Sequence, residues 1–278
     1  MRLRAVAVAA LLVGCAARQA SRDPVAKKLR SLDERYAQAA TSADLSPVLQ
    51  DTVLQLERHP DEPRLLWRLS RALAAQAAWG DPALAGSAYA AAREAGMRCL
   101  SLRPGFSAQV ITAGGRLVPA AVAQLGAEDL PCATWTLQAW GRALDLRGAG
   151  AVDPDLPGLE ALAAWAAGVE GAPPAERVWV AGAAGLVLSL RPALDGAPPL
   201  PGRPLLEEAV REGPGHLGPL VDLALYGLDP NDDAVLRERL LGEAVRAPEG
   251  GDPPGAAGFN AAARARAQKA LSTAAPSP

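Results

Sequence analysis

A recurring spacing of tryptophan and proline is the feature that most constrains the fold of this chain. Each tryptophan lies near the start of one helical pattern, and each proline follows a second. The pairs, separated by 37, 38 and 35 residues, are Trp67 and Pro104, Trp135 and Pro173, and Trp179 and Pro214. Because one helix pair cannot bury its apolar faces alone, the pattern predicts helix pairs stacked on one another.

The tetratricopeptide repeat has a similar organisation, with about 28 residues between its tryptophan and its proline. Leu220 and Pro248 have this separation, with leucine in the tryptophan position, whereas the other units are longer. We therefore expect an all-α fold, a degenerate tetratricopeptide-like helix-pair array that forms an α-solenoid or a compact helical repeat. Residues 105–130 predict another, glycine-interrupted helix pair. Residues 259–271 predict a terminal helix that caps the stack with its arginines outward.

The first two helices are predicted from their caps and apolar periodicity. Asp23 and Pro24 are typical of a helix start, and this helix is expected to end near Ala40. Ser46 and Pro47 predict the start of the next, which His59 and Pro60 end. The positions expected to face the core are Val25, Leu29, Leu32 and Tyr36 in the first helix and Val48, Thr52 and Leu56 in the second.

The N-terminus has the pattern of an export signal. Arg2 and Arg4 precede an uncharged run over residues 5–13 that is too short to span a bilayer. The stretch Leu12-Val13-Gly14-Cys15 resembles the lipobox of bacterial lipoproteins, in which the cysteine is lipidated and becomes the first mature residue. The alternative is a plain signal peptide that happens to contain a cysteine.

The lipoprotein interpretation divides the chain into four parts. Residues 1–14 are the lipoprotein signal peptide, 15–23 a lipidated tether, 24–273 the helical-repeat domain and 274–278 a disordered tail. Ala16 follows the cysteine in place of the aspartate that signals inner-membrane retention. We therefore expect an anchor in the outer membrane, with the protein facing the periplasm.

Composition excludes several classes of partner and cofactor. The formal net charge is −2 and the arginines are scattered, so no nucleic-acid partner is expected. The two histidines and three cysteines show no spacing typical of metal ligands, so no metal site is expected. Cys99 and Cys132 lie in helical stretches among small apolar residues, which favours two separate buried thiols over a disulfide.

No catalytic motif is present. The patterns GxSxG, GxxxxGK[ST] and HExxH are absent, so we expect neither enzymatic activity nor a cofactor. Gly182 and Gly185 lack the strand-turn-helix context of a dinucleotide-binding loop and instead indicate close helix packing.

Tryptophan and arginine share helix faces in two places. Trp67 and Arg71 are four residues apart, and Trp135 and Arg142 are seven apart. Such a face could bind an anionic ligand or a partner peptide. The alternative is that the tryptophans anchor the core while the arginines reach water. The candidate ligand- or partner-binding residues are Trp67, Arg71, Trp135, Trp140 and Arg142.

Four stretches together resemble the T component associated with tripartite ATP-independent periplasmic (TRAP) transporters. They are PDEPRLLWRLSRAL at 60–73, ATWTLQAWGRALDL with DLPGLEAL at 133–162, PGRPLLEEAV at 201–210, and FNAAARARAQKAL at 259–271. The stretch after DLPGLEAL departs from the family, which is usually more charged there and has a more aromatic following helix.

The resemblance implies a lipoprotein of tetratricopeptide-like helix pairs that binds a periplasmic solute-binding protein and helps to pass a small ligand, hydrophobic or an organic acid, toward the permease. A homo-oligomer is left open. The alternative function is a general cell-envelope scaffold or adaptor with protein partners only.

Overall fold

The computed structural model describes residues 23, 25–39, 41–148, 153–190, 201–229, 232–248 and 255–274, and helices joined by turns and loops make up these ranges. No β-strand occurs in these ranges, which confirms the predicted all-α class. The signal peptide, Cys15 and the tail after residue 274 lie outside them. No helix in the described ranges is both long and apolar enough to cross a bilayer.

Thirteen α-helices are present in the described ranges. They are α1 Ala26–Gln38, α2 Ser42–Arg58, α3 Pro63–Trp79, α4 Pro82–Ser101, α5 Pro104–Thr112, α6 Pro119–Val122, α7 Leu130–Arg147, α8 Leu156–Ala167, α9 Pro174–Ser189, α10 Arg203–Glu212, α11 Leu217–Asp222, α12 Ala234–Arg246 and α13 Ala257–Ala274. A 3₁₀ turn, Ala127–Asp129, precedes α7, and a π-helical turn, Leu223–Gly227, continues α11.

The first helix begins as its cap predicts. The Asp23 carboxylate accepts hydrogen bonds from the backbone N–H groups of Val25 (3.0 Å) and Ala26 (3.1 Å). These bonds satisfy donors that the first turn of a helix leaves unpaired. The predicted inner face is confirmed, because Val25, Leu29, Leu32 and Tyr36 are all buried.

The predicted start of α2 is wrong by four residues. The helix begins at Ser42, and Pro47 lies inside it. A capping box explains the earlier start: the Asp44 carboxylate accepts from the Thr41 backbone N–H at 2.8 Å and from the Thr41 hydroxyl at 2.9 Å. The predicted inner residues Val48, Thr52 and Leu56 are buried, as expected.

Prolines separate the helices by starting them. Pro63, Pro82, Pro104, Pro119 and Pro174 are each the first residue of a helix. This position suits proline because its fixed φ is already helical and its missing N–H would have no partner there. Pro104, predicted to close a repeat unit, thus also starts α5.

Consecutive helices pack against one another, and α7 joins the earlier helices to the later ones. Helix α3 packs on α4, α4 on α7, α7 on both α8 and α9, and α9 on α10. In α9 a Cβ at Gly182 would lie 2.9 Å from Pro219 Cγ, and one at Gly185 would lie 2.8 Å from Leu206 Cγ. The prediction that these glycines permit close packing is therefore confirmed.

The interpretation of Cys99 and Cys132 as separate thiols is wrong. The two residues form a disulfide between α4 and α7, with Cα atoms 5.7 Å apart. That distance is typical of disulfides. Both residues do lie in helices, but the packing of α4 against α7 that brings them together is a tertiary contact that local composition does not encode.

The last helix contacts both its sequence neighbours and the distant helix α3. Helix α13 packs on α11 and α12 and also on α3. At its start, the backbone of Gly258 lies directly against the indole ring of Trp79. The expectation that its arginines point outward is wrong for Arg266, whose Nη1 donates to the buried Asp222 at 2.8 Å. This ion pair exists because α13 has other helices on its polar side.

Candidate ligand-binding pocket

A pocket of about 220 Å³ opens where α1, α3, α7 and α9 meet. Four of its lining side chains are aromatic, and they come from all four helices. The lining residues are Tyr36 from α1, Trp67 and Arg71 from α3, Pro131, Thr134 and Trp135 from α7, and Ala175, Glu176 and Trp179 from α9. The pocket is therefore a product of tertiary packing rather than of any one segment.

Helical spacing places Trp67 and Arg71 side by side on α3. They are four residues apart and so lie on one helix face. The Arg71 guanidinium carbon is 3.9 Å from the centre of the Tyr36 ring and 5.0 Å from that of Trp67. Arg68 lies 4.0 Å from the centre of the Trp67 ring. These distances are within the range of cation–π interaction, which fixes the guanidinium of Arg71 at the pocket wall.

One carboxylate holds both arginines. Asp33 on α1 accepts from Arg68 Nε at 2.9 Å, from Arg68 Nη2 at 2.5 Å and from Arg71 Nη2 at 2.7 Å. Burial alone would raise the pKa of Asp33, but the hydrogen bonds and charges of Arg68 and Arg71 outweigh it and lower the pKa. Two guanidinium groups thus share one ionised carboxylate, and this cluster carries a net charge of +1.

The opposite wall is a cluster of aromatic rings that contact one another at tilted or edge-on angles. The ring centres of Trp135 and Trp179 are 5.0 Å apart, and Phe259 of α13 lies 5.1 Å from Trp179. The ring of His216 packs 4.2 Å from Trp179. Such contacts add to the stability from area burial and limit the rotamers of the rings. The indoles that line the pocket are therefore held in place from behind by α13 and by the turn before α11.

Two buried polar atoms at the pocket have no hydrogen-bond partner in the described structure. They are the Tyr36 hydroxyl and Arg71 Nε. Tyr36 is only 4% exposed. Burial raises its pKa to about 12, although the charge of Arg71 opposes the shift, so at neutral pH the hydroxyl keeps its proton. A buried donor without a partner costs about 1–3 kcal/mol, so each of these two atoms lowers the stability of the fold.

Glu176 is the only carboxylate among the lining residues. It is largely exposed at the first turn of α9, and the apolar surroundings on its inner side raise its pKa above the ordinary value. The pocket therefore combines an apolar body, a cation at its wall and an acidic group at the rim.

Three of the five predicted site residues meet at this pocket and two do not. Trp67, Arg71 and Trp135 line it. Trp140 is a core residue, 2% exposed, whose indole N–H donates to Asp153 at 3.1 Å. Arg142 is buried in an ion pair with Asp222. Its assignment beside Trp135 fails because seven residues of helix separate them by about 10 Å along the axis.

Two lining aromatic residues were not predicted as site residues. The sequence predicts Tyr36 on the inner face of α1, which is correct, and Trp179 at the start of a repeat unit. Neither pattern carries a signal that distinguishes a core aromatic from a pocket aromatic. Only the packing of α1 and α9 against α3 and α7 shows that Tyr36 and Trp179 line the same cavity.

No model of a known protein family matches this chain, and a search of the curated proteins gives no match either.

Proposed function

We propose that this protein is a membrane-anchored binding protein of the bacterial cell envelope that holds a small, mostly apolar ligand between α1, α3, α7 and α9. One observation carries the proposal: four aromatic side chains from four helices surround a single cavity of about 220 Å³. Binding sites for small molecules are typically apolar, aromatic-lined and equipped with a few polar groups, as this one is.

The resemblance to TRAP-associated T components supplies the second half of the proposal. The anchor is a lipid on Cys15, in the outer membrane facing the periplasm, and the protein partner is a periplasmic solute-binding protein. The helix pairs α3–α4 and α9–α10 are in this proposal elongated relatives of tetratricopeptide units. The protein would then pass its ligand to, or receive it from, the partner, and would catalyse no reaction.

A comparison of native and blocked pockets tests ligand binding. Ala175 is exposed and lines the pocket, so A175W should fill the cavity without disturbing the core. Ala90 on α4 is also exposed but does not line it, and A90W is the control. The protein purified natively from its own envelope should release a small molecule on denaturation, detected by mass spectrometry. A90W should release it and A175W should not; equal release from both variants would contradict the proposal.

Affinity capture tests the partner. The mature chain is used to capture proteins from an envelope extract, and recovery of a solute-binding protein is the expected result. Recovery of other envelope proteins only would favour a general envelope scaffold. The anchor is tested separately, since C15S should move the protein from the detergent phase to the aqueous phase on detergent partitioning.

A further inference from the structure

We infer that the start of α1 binds an anionic phospholipid surface through Lys27 and Arg30. This inference rests on the proposed function, because it concerns the membrane to which the lipid on Cys15 would anchor the protein.

Charge is distributed unevenly along the chain after the proposed signal peptide. Residues 15–30 contain five basic side chains and one acidic side chain, whereas residues 31–278 contain 21 basic and 29 acidic side chains. The first segment therefore has a net charge of +4 and the remainder a net charge of −8, a difference that the net charge of −2 for the full sequence does not reveal. Such asymmetry indicates that one segment contacts a negatively charged partner.

Two basic side chains of this segment are exposed on the described part of α1. Lys27 and Arg30 are three residues apart, so they lie on one face of the helix. Neither side chain forms a hydrogen bond or an ion pair with another described residue. The exposed carboxylate of Glu34 lies about 6 Å beyond Arg30 along the helix axis, on the side away from Cys15. The start of α1 therefore presents two unneutralised positive charges to solvent.

The carboxylates at the start of α1 and on α2 are occupied by other cations. Asp23, which caps α1, accepts from Arg64 Nη1 at 2.5 Å. Asp51 of α2 accepts from Lys28 Nζ at 3.1 Å and from Arg35 Nη2 at 2.6 Å. Because these ion pairs use the two carboxylates, neither of them neutralises the exposed pair on α1.

The position of the pair favours a membrane as the partner. Asp23 follows Cys15 by eight residues, and an extended chain of that length spans at most about 28 Å. A lipid on Cys15 would thus keep the start of α1 close to the membrane. Basic clusters beside a membrane anchor bind anionic headgroups, and this attraction acts over about 8 Å at physiological ionic strength.

The acidic remainder of the chain gives this contact a consequence. An anionic surface repels a body with a net charge of −8 and attracts the segment with a charge of +4. The lipid accounts for attachment, and the contact of Lys27 and Arg30 with headgroups would fix which side of the anchored protein faces the membrane.

Vesicle co-sedimentation of the full mature chain carrying C15S tests the inference, because this variant has no lipid of its own. We expect it to bind vesicles of two parts phosphatidylcholine to one part phosphatidylglycerol, and not vesicles of phosphatidylcholine alone. Salt at about 1 M shortens the screening length to about 3 Å and should release the protein. Equal binding to both kinds of vesicle, or binding to neither, would overturn the inference. The lipid anchor itself is tested separately, by detergent partitioning of the native protein.

A pair of substitutions added to C15S assigns the contact to α1. Each basic residue near an anionic surface strengthens binding about five-fold, so K27Q/R30Q should weaken binding to the phosphatidylglycerol vesicles by at least about ten-fold. R177Q/K269Q is the matched control, since it removes one arginine and one lysine that are exposed on α9 and α13. All four side chains are exposed, so both variants should melt at the temperature of C15S. If the two double variants bind these vesicles equally, the contact is not at the start of α1 and the inference is wrong.

Discussion

Arg142 of α7 and Asp222 at the end of α11 form a two-pronged ion pair across 80 residues of chain. Arg142 Nη1 and Nη2 donate to the two carboxylate oxygens of Asp222 at 2.8 and 2.6 Å. Arg266 of α13 donates to the same carboxylate, and Arg142 and Arg266 are also near Asp145. Two arginines and two aspartates thus join α7, α11 and α13 with balanced charge in the interior.

Removing the charge of Asp222 should destabilise the protein strongly. Burial alone would raise the pKa of Asp222, but the charges of Arg142 and Arg266 outweigh it and lower the pKa, so the carboxylate is ionised. D222N leaves two buried guanidinium groups to share one carboxylate, that of Asp145. Breaking a buried pair in this way costs about 3–5 kcal/mol. Urea unfolding measures the loss. D232N, at an exposed aspartate, is the control and should change stability little; equal stability of the two variants would contradict the prediction.

Stability should fall as the pH drops below about 6.5 because of His216. Burial, with the charge of Arg142 adding and that of Asp222 opposing, lowers the pKa of His216 from 6.5 to about 3. The unfolded chain therefore binds a proton in this window that the folded protein does not. The contribution of His216 is complete above pH 6.5 and is lost towards pH 3, at up to about 1.4 kcal/mol per pH unit.

Urea unfolding at pH 7, 6 and 5 checks this window, which lies above the ordinary pKa values of carboxylates. H216F keeps a ring against Trp179 and has no titrating group, so its stability should change less with pH than that of the unmodified protein. An H216F variant with the same pH dependence would show that the proton is bound elsewhere.

The disulfide between Cys99 and Cys132 should be present in the mature protein and should stabilise it. Linking residues 33 apart removes about 3–4 kcal/mol of chain entropy from the unfolded state in the chain-entropy model. C99S/C132S should therefore unfold at lower urea concentration than the unmodified protein. Alkylation of the denatured mature protein should block neither cysteine until a reductant is added; two alkylated thiols without reductant would contradict the disulfide.

The sequence correctly predicts the structural features whose cause lies within one segment of the chain. The inner face of α1, the buried face of α2 and the prolines at helix boundaries all follow from periodicity and backbone chemistry within one segment. The start of α2 was missed because two signals competed locally, and the Thr41–Asp44 capping box prevailed over Ser46–Pro47.

The sequence does not predict the features that form where distant segments of the chain pack together. Trp67 and Arg71 were found because helical spacing places them side by side on α3. The donors and rings opposite them come from α1 and α9, and no spacing rule relates Tyr36 to Trp179. For the same reason the sequence predicts Arg142 as a ligand- or partner-binding residue beside Trp135, whereas in the structure it pairs with Asp222, 80 residues away.

Two glycines of α4 should respond in opposite ways to alanine, because only one of them contacts another helix. A Cβ at Gly96 would lie 3.1 Å from both Cα and Cβ of Thr136 on α7, and closer still to the Thr136 hydroxyl, whereas a Cβ at Gly86 meets nothing within 4 Å. G96A should therefore push α4 away from α7 and cost about 1–3 kcal/mol. G86A should stabilise the protein by about 0.5–1 kcal/mol, since alanine replaces glycine in an exposed helix interior. The two variants carry the same chemical change in the same helix. Urea unfolding of both therefore separates the effect of the helix contact on the free energy of unfolding from the effect of helix propensity. Stabilisation by G96A equal to that by G86A would show that α4 and α7 are not in close contact at Thr136.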